Sequence, residues 1–294
     1  MTNTFLYIAT LAMWGTAFYA ISLQLGTVPV EWSIAYRFGF GALVFFAFAA
    51  ATKRKIRFSA RDHLAFTAMG VFLFGLQYVV LYKATELIAS GPAAVAFSSI
   101  VFFNIVFGAV FLKTPLERKI VAGAILGVAG IVMVFWNDLR GFGAGNIAVA
   151  GLALAICSGA LASVGNLISE RIQDRGVPVI QTNAYGMAYG AIFSAGLALA
   201  IGEPIAFEPT LIYAGSLIYL AGIATVFGFA FYLTLIGRIG AARTGYMWVM
   251  IPIVALAVST VLEGYLWTPI AAGGIAAVLI GNALMLTPRR ARSP

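Results

Sequence analysis

The sequence predicts an all-α integral membrane protein, with ten transmembrane helices arranged as two inverted five-helix repeats. Three observations lead there. Hydrophobic residues make up 62% of the 294 and charged residues only 10%, with a mean hydropathy of +0.99. A soluble domain of this size could not hide that much apolar surface, so its solvent must be lipid. The apolar residues gather into blocks about as long as a helix that crosses a bilayer, roughly 18–25 residues. Finally, the chain repeats itself.

The blocks fall at 4–23, 32–51, 64–82, 92–112, 117–136, 146–168, 179–201, 210–235, 245–262 and 269–287. They are unbroken rather than alternating, which reads as helices and not as the strands of a β-barrel. Connections are short, and several carry helix-start chemistry. Thr114-Pro115-Leu116-Glu117 offers an N-cap Thr, a Pro at N1 and a Glu at N3, which is a capping box. Thr268-Pro269 keeps the first two parts, and Ser59 with Asp62 can cap the third block in the same way. Cys157, the single cysteine, excludes an intrachain disulfide and is expected to be a small packing residue within its apolar run. The N-terminal MTNT lacks a basic region and the first block lacks a convincing cleavage site, so no cleavable signal peptide is expected.

Two echoes reveal the repeat. At an offset of 154, Tyr78 falls on Tyr232, Gly91 on Gly245, Thr114-Pro115 on Thr268-Pro269 and Gly127 on Gly281. At an offset of 149, Val28-Pro29-Val30, Ala35-Tyr36 and Gly41-Ala42 recur as Val177-Pro178-Val179, Ala184-Tyr185 and Gly190-Ala191. The halves are 1–143 and 144–294. Five helices is an odd number, so the second half must enter the membrane from the opposite side. An inverted pair can exchange two near-equivalent conformations around a shared midplane site, which is a recurrent secondary-transporter architecture.

Charge sets the orientation. With the N-terminus on one side, the loops after the second, fourth, sixth and eighth blocks and the C-terminus share that side. They carry fifteen of the eighteen Lys and Arg residues; Lys83 and Arg140 lie opposite, and Arg37 lies within the second block. Both termini are therefore expected to be cytoplasmic, in a multi-pass protein of the inner membrane. The net charge of +8 is accounted for by this asymmetry, and no nucleic-acid partner is expected.

The residues also resemble a known family. LAMWGTAFYAISL in the first block, Arg37-Phe38 in the second, and the segments GPAAVAF and TPLERKIVAGAILGVAGIVMV make the chain similar to ten-helix members of the drug/metabolite transporter superfamily, of the duplicated EamA type. Within it, the likeness points toward exporters of aromatic amino acids. The resemblance covers essentially the whole chain. It implies a basket in which the first, third, fourth, sixth, eighth and ninth helices surround a central cavity, with the fifth and tenth packed behind. The chain departs from common usage where an acidic residue often precedes the Thr-Pro of the fifth and tenth helices. Here Phe111 and Lys113 stand near one pair, Tyr265 and Trp267 near the other.

Nothing suggests an enzyme. His63 is the only histidine and falls in a basic loop, and no acidic or Cys/His cluster has metal-ligand spacing, so neither metal nor cofactor is expected. All ten acidic residues fall in loops or at helix ends. Proton-coupled carriers commonly use an embedded carboxylate, so uncoupled transport is the expectation. Arg37 is expected to snorkel to the outer interface or pair with Glu31, the alternative being contact with a substrate carboxylate. Lys83 and Glu86 should pair at the surface.

The candidate substrate-binding residues lie on the implied lining helices: Trp14, Phe18, Tyr78, Tyr82, Ser98, Ser99, Asn166, Tyr232 and Trp248. Phe74, Tyr78 and Tyr82 recur at spacing four as one stripe, and Asn104 adds another polar group. For any one ring the alternative is lipid contact or ordinary packing, and Ser or Asn can simply hydrogen-bond a neighbouring helix. Pro252 should kink the ninth helix, as a hinge, as a source of a free carbonyl, or as plain structure. Gly123 and Gly127, with Gly273, Ala277 and Gly281, put small residues on one face of the fifth and tenth helices. They are expected to pack those helices together, with subunit dimerisation second; a monomer or weak homodimer is expected.

The function these features imply is export of a small amphipathic metabolite, an aromatic or other neutral amino acid, by alternating access through an aromatic-lined cavity. The alternatives are export of another metabolite or drug, a channel, or a membrane-embedded enzyme, which would need clustered ionisable groups at membrane depth.

Overall fold

The computed structural model describes residues 1–112, 118–136, 147–239 and 247–286. Among the described residues every regular element is helical. In chain order these are α1 (Asn3–Ser22), α2 (Val30–Ala51), α3 (Ala60–Met69), a π-helical stretch π1 (Gly70–Leu76), α4 (Gln77–Thr85), α5 (Ser90–Phe97), α6 (Ile100–Leu112), α7 (Arg118–Val134), α8 (Ile147–Asp174), α9 (Val179–Ala200), α10 (Leu211–Ile218), a second π stretch π2 (Tyr219–Phe227), α11 (Gly228–Ile239), α12 (Met247–Leu262) and α13 (Pro269–Leu286). The segments α3–π1–α4 and α10–π2–α11 each run on without a break. Among the described residues six rods are long and apolar enough to cross a membrane: Asn3–Ser22, Val30–Ala51, Ala60–Thr85, Ser90–Phe111, Ile147–Asp174 and Leu211–Tyr232.

These helices are apolar on nearly every side, which is what a helix with lipid on one face and protein on the other requires. The inner faces hold a core in which Phe38, Phe66, Phe74, Tyr82, Met187 and Leu220 are fully buried. Outward, Leu43, Leu64, Ile192, Leu211, Ile218 and Val261 stand exposed. So continuous an apolar exterior is tolerable only against hydrocarbon.

Several local expectations can be read directly. Ser59 and Asp62 form the capping box at the start of α3, the Ser59 hydroxyl accepting from the Asp62 amide at 3.2 Å and the Asp62 carboxylate from the Ser59 amide at 3.2 Å. The Ala271 amide donates to the Thr268 hydroxyl at 3.1 Å, so Thr268 caps α13. The matching Thr114–Glu117 box, and Lys113, Arg140, Arg243 and Gly245 of the charge and repeat arguments, lie outside the described residues. The three C-terminal arginines, Arg289, Arg290 and Arg292, lie outside them too. Lys83 pairs with Glu86 at 3.3 Å.

Other expectations need correcting. His63 is not in a loop: α3 begins at Ala60, earlier than the apolar block, because the capping box starts the helix among polar residues. The His63 ring lies against Phe66 and Tyr185, with Nδ1 2.9 Å from the Tyr189 hydroxyl. Cys157 is exposed on α8 rather than packed inside, because a helix with lipid on one side is apolar there too. The block at 146–168 extends as α8 to Asp174.

The fifth and tenth blocks, α7 and α13, do pack together, but the register differs from the expected stripe. A Cβ at Gly123 would lie 2.6 Å from the Gly281 carbonyl oxygen, and one at Gly130 would lie 2.5 Å from that of Gly274. Gly123 and Gly130 face Gly281 and Gly274, seven residues apart on each helix, and a Cβ at Gly281 would also lie 2.8 Å from the Gly127 nitrogen, so the expected Gly127–Gly281 contact is made by backbone. A Cβ at Gly127 would meet nothing within 4 Å, and one at Gly273 only the end of Met133. Backbones this close gain van der Waals contact along their length.

The other long-range pairings run across the chain's midpoint: α2 lies on α9, α1 on α12, and α8 on α5 and α6. The two π stretches begin at Gly70 and Tyr219, 149 positions apart, the offset of the second sequence echo. Pro252 sits inside α12 and is buried. Its mate at the offset of 154 is Ser98, where the helix breaks between α5 and α6.

Candidate functional site

At the centre of the bundle is a cavity of about 290 Å³, near the lower end of small-molecule sites at roughly 300 Å³. Helical spacing explains its walls. On α1, Trp14, Ala17, Phe18 and Ile21 lie three and four apart and share one face. Across π1 and α4 the same rule brings in Leu73, Phe74, Gln77, Tyr78 and Leu81. Phe97, Ile100 and Asn104 come from α5 and α6, Ala162 and Asn166 from α8, Phe229 and Tyr232 from α11, Trp248 and Ile251 from α12, and Arg37 from α2.

Trp14 is the hub of one wall. Its ring stacks on Trp248 at 5.2 Å between centroids and meets Tyr232 at 5.0 Å and Phe229 edge-on at 5.4 Å. Its Nε1 donates to the Ala224 carbonyl in π2 at 2.9 Å. Gly228 follows π2, and a Cβ there would lie 2.6 Å from that same nitrogen. Only glycine leaves room for the indole. On another wall Phe18 meets Phe97 edge-on. The Asn166 amide donates to Asn104 Oδ1 at 3.3 Å, and Gln77 Nε2 donates to the Ser158 hydroxyl at 3.1 Å.

Arg37 is the sole cation among the described residues of the lining. It is 4% exposed. Its Nε donates to Thr225 Oγ1 at 3.2 Å, and its guanidinium lies over the rings of Tyr78 at 4.7 Å and Phe38 at 5.0 Å. Nη1 is buried without a hydrogen-bond partner. Among the described residues Arg37 joins no ion pair, so neither snorkelling nor pairing with Glu31 describes it. It turns inward because the rings and Thr225 stand on the bundle side of α2.

One end of the cavity is shut. Beyond Leu81 the Tyr82 hydroxyl donates to Gln24 Oε1 at 2.6 Å, and both residues are buried. At the other end Leu73, Asn166, Phe229 and Tyr232 also line a wider hollow of about 590 Å³, with Arg54, Glu170, Gln173 and Asp174 on its walls. The cavity therefore continues toward the end of the molecule that carries Arg54 and Arg171.

Of the residues expected in a site, Trp14, Phe18, Tyr78, Asn166, Tyr232 and Trp248 lie on this lining. Tyr82 does not; Leu81 takes the inward place and Tyr82 closes the end behind it. Ser98 and Ser99 face elsewhere, into a separate apolar hollow of about 240 Å³ between α6, α7, α8 and α13. The break at these residues turns them to the back of the bundle, where the Ser98 hydroxyl donates to the Val95 carbonyl. Pro252 is next to the lining residue Ile251 but is not itself on the lining. Gln77, Phe97 and Phe229 line the cavity beyond the expected residues, as does Arg37, for which contact with a substrate carboxylate was the alternative expectation. Arg37 and Gln77 carried a signal, as polar side chains within apolar blocks; Phe97 and Phe229 carried none. Among the described residues no group of three or more His, Cys, Asp or Glu could hold a metal.

Comparison with known proteins points one way. The "Probable amino-acid metabolite efflux pump" of Salmonella typhimurium is 26% identical over 94% of this chain and 92% of its own. A protein of the same description from Escherichia coli is 24% identical over 87% and 85%. An uncharacterized transporter of Archaeoglobus fulgidus is 24% identical over 95% and 97%. A solved crystal structure superposes with a TM-score of 0.67 over 96% of this chain and 95% of that one at 21% identity, a likeness of fold alone. The model of the EamA-like transporter family matches twice, over residues 2–136 and 149–287. With nearly its whole length covered by those two matches, this multi-pass membrane protein belongs to the EamA-like transporter family.

Proposed function

We propose that this chain is a secondary transporter that exports small amphipathic metabolites, aromatic or other neutral amino acids first among them, by alternating access through the central cavity. The observation that carries the reading is the cavity's make-up: stacked indoles and phenyl rings, a few amides, and walls drawn from both parts of the chain. Such a surface takes a flat apolar body with a polar end, and suits a metal ion or a phosphate poorly.

Ten spans in two inverted five-helix repeats, 1–143 and 144–294, belong to this proposal. It is supported by the crosswise pairing of α1 with α12 and of α8 with α5 and α6, which is one pairing with the two parts exchanged. The π stretches 149 positions apart support it too. The basic side is taken as cytoplasmic, so that the cavity opens inward and Tyr82 with Gln24 closes the outer end. The choice of amino acids draws on the description of the bacterial relatives as amino-acid metabolite efflux pumps, and the sequence's likeness to the aromatic amino acid exporter YddG supports the aromatic part. Transport is proposed to be uncoupled, since no acidic side chain is among the described lining residues.

The test is uptake of labelled phenylalanine into proteoliposomes, with and without unlabelled amino acid inside and with an imposed pH gradient. Saturable uptake stimulated by internal amino acid and indifferent to the gradient is the expected result. Dependence on the gradient would overturn the uncoupled mechanism, weakly saturable flux without counterflow would indicate a channel, and no uptake would overturn the amino-acid assignment.

A further inference from the structure

The proposed transport reading says what kind of body fits the cavity, but leaves open which polar end of the substrate is recognised; the present inference rests on that reading and narrows it. We infer that Arg37 is the anchor for a substrate carboxylate, and that the cavity selects acids with an aromatic or apolar body while giving little weight to an ammonium group.

Three observations meet on this residue. Arg37 is a permanent cation held at membrane depth, 4% exposed, on the lining of the central cavity. Its Nη1 is buried with no hydrogen-bond partner, while Nε is spent on Thr225. The Tyr78 and Phe38 rings at 4.7 and 5.0 Å offer their faces to the guanidinium, a partial compensation that leaves Nη1 unsatisfied. A buried charge without a counter-ion is costly to keep. A cavity that keeps one is completed by a ligand that brings the opposite charge. Planar, forked donors match a carboxylate better than any other small organic anion of one charge.

The other half of the inference comes from what surrounds that cation. None of the described lining residues is acidic. The Asn104 and Gln77 side chains are engaged with Asn166 and Ser158. Glu170 and Asp174 line the adjoining outer hollow, not the cavity itself. Among the described lining residues, an amino acid docked on Arg37 finds ring faces, the Tyr78 and Tyr232 hydroxyls and amide oxygens for its ammonium, but no carboxylate.

The experiment compares three small probes on the full-length protein in lipid nanodiscs, read by the fluorescence of the indoles of Trp14 and Trp248. Phenylalanine carries both charges, 3-phenylpropanoate only the carboxylate, and phenylalanine amide only the ammonium. The expected result is that 3-phenylpropanoate binds within about threefold of phenylalanine, and that the amide binds at least about tenfold more weakly, the loss expected for a charge-assisted hydrogen bond. Arg37→Gln should abolish the preference for the acids over the amide, and Arg37→Lys should keep part of it. If the amide binds as tightly as phenylalanine, or if no carboxylate probe binds, the inference is overturned; the wild-type series alone decides this should Arg37→Gln fold poorly. Loss of 3-phenylpropanoate binding relative to phenylalanine would overturn the second half by showing that the ammonium is read. Arg37-dependent acid binding without any amino acid uptake would sink the amino-acid export reading and leave the anchor in place.

Discussion

Trp14 holds its place through contacts that reach across the whole chain: a hydrogen bond to Ala224, a stack on Trp248, an edge contact with Phe229 and a tilted one with Tyr232. Each ring contact of this kind contributes about 0.5–1.5 kcal/mol. Losing a ring from the substrate's own surroundings should therefore weaken binding about three- to tenfold. We expect Tyr78→Ala and Trp248→Ala each to raise the half-saturation concentration for transport by that factor, with the yield of folded protein unchanged; normal kinetics in both variants would remove them from the site. Gly228→Ala is the complementary case. The added methyl would meet the Trp14 nitrogen at 2.6 Å, so the indole must leave the Ala224 carbonyl at a cost of about 1 kcal/mol. A shifted tryptophan emission and uptake reduced to the level of Trp14→Phe are the expected outcomes.

At the scale of elements, two devices fix the helices around the cavity. One is the glycine seam between α7 and α13, where Gly123 and Gly130 meet Gly281 and Gly274. The wall on the other side of each Cβ position is backbone, which cannot yield. Gly130→Leu should lower stability by more than the roughly 1–3 kcal/mol of ordinary overpacking, seen as a lower melting temperature in detergent. Gly127→Ala should be close to neutral, because nothing lies within 4 Å of its Cβ position. The other device is Glu263, at the end of α12, whose carboxylate accepts from the Ser90 amide at 3.1 Å and the Ser90 hydroxyl at 2.6 Å. A carboxylate at a helix N-terminus is favourable, and here it ties α5 to α12 beside the cavity's walls. Glu263→Gln is expected to cost about 1–2 kcal/mol, read in the same melting assay.

For the whole molecule, the cavity is closed at Tyr82 and Gln24 and continuous with the hollow around Gln173 and Asn183 at its other end. This makes a prediction about access. In a Cys157→Ser background, Gln173→Cys, exposed in the hollow, should react with a membrane-impermeant maleimide added from the basic, proposed cytoplasmic side, and Gln24→Cys should resist it from both sides. Reaction of Gln24→Cys from the far side alone would mean that the outward-facing form predominates. The two π stretches bear on the same motion. Both belong to rods that line the cavity, and a π turn is a looser hydrogen-bonded ring than an α turn and is often found at functional sites.

The all-helical class was legible in the sequence because lipid imposes a length on apolar blocks, and the family through the likeness of motifs such as LAMWGTAFYAISL and GPAAVAF. Trp14, Phe18, Tyr78 and Tyr232 were found by helical spacing on the lining helices that the family resemblance implies, and the structure puts them on the cavity wall. Tyr82 shares their spacing but, one turn past Tyr78, forms the closed end itself with Gln24, and where a cavity stops is set by the helices opposite. Ser98 and Ser99 look like lining groups until the break between α5 and α6 turns them to the back. Arg37 is the plainest case. Sequence shows a cation inside an apolar block, which a long side chain can resolve by reaching for the interface. Only the packing of Phe38, Tyr78 and Thr225 around it decides that it points inward, since burial and partners are properties of neighbours brought together from distant parts of the chain.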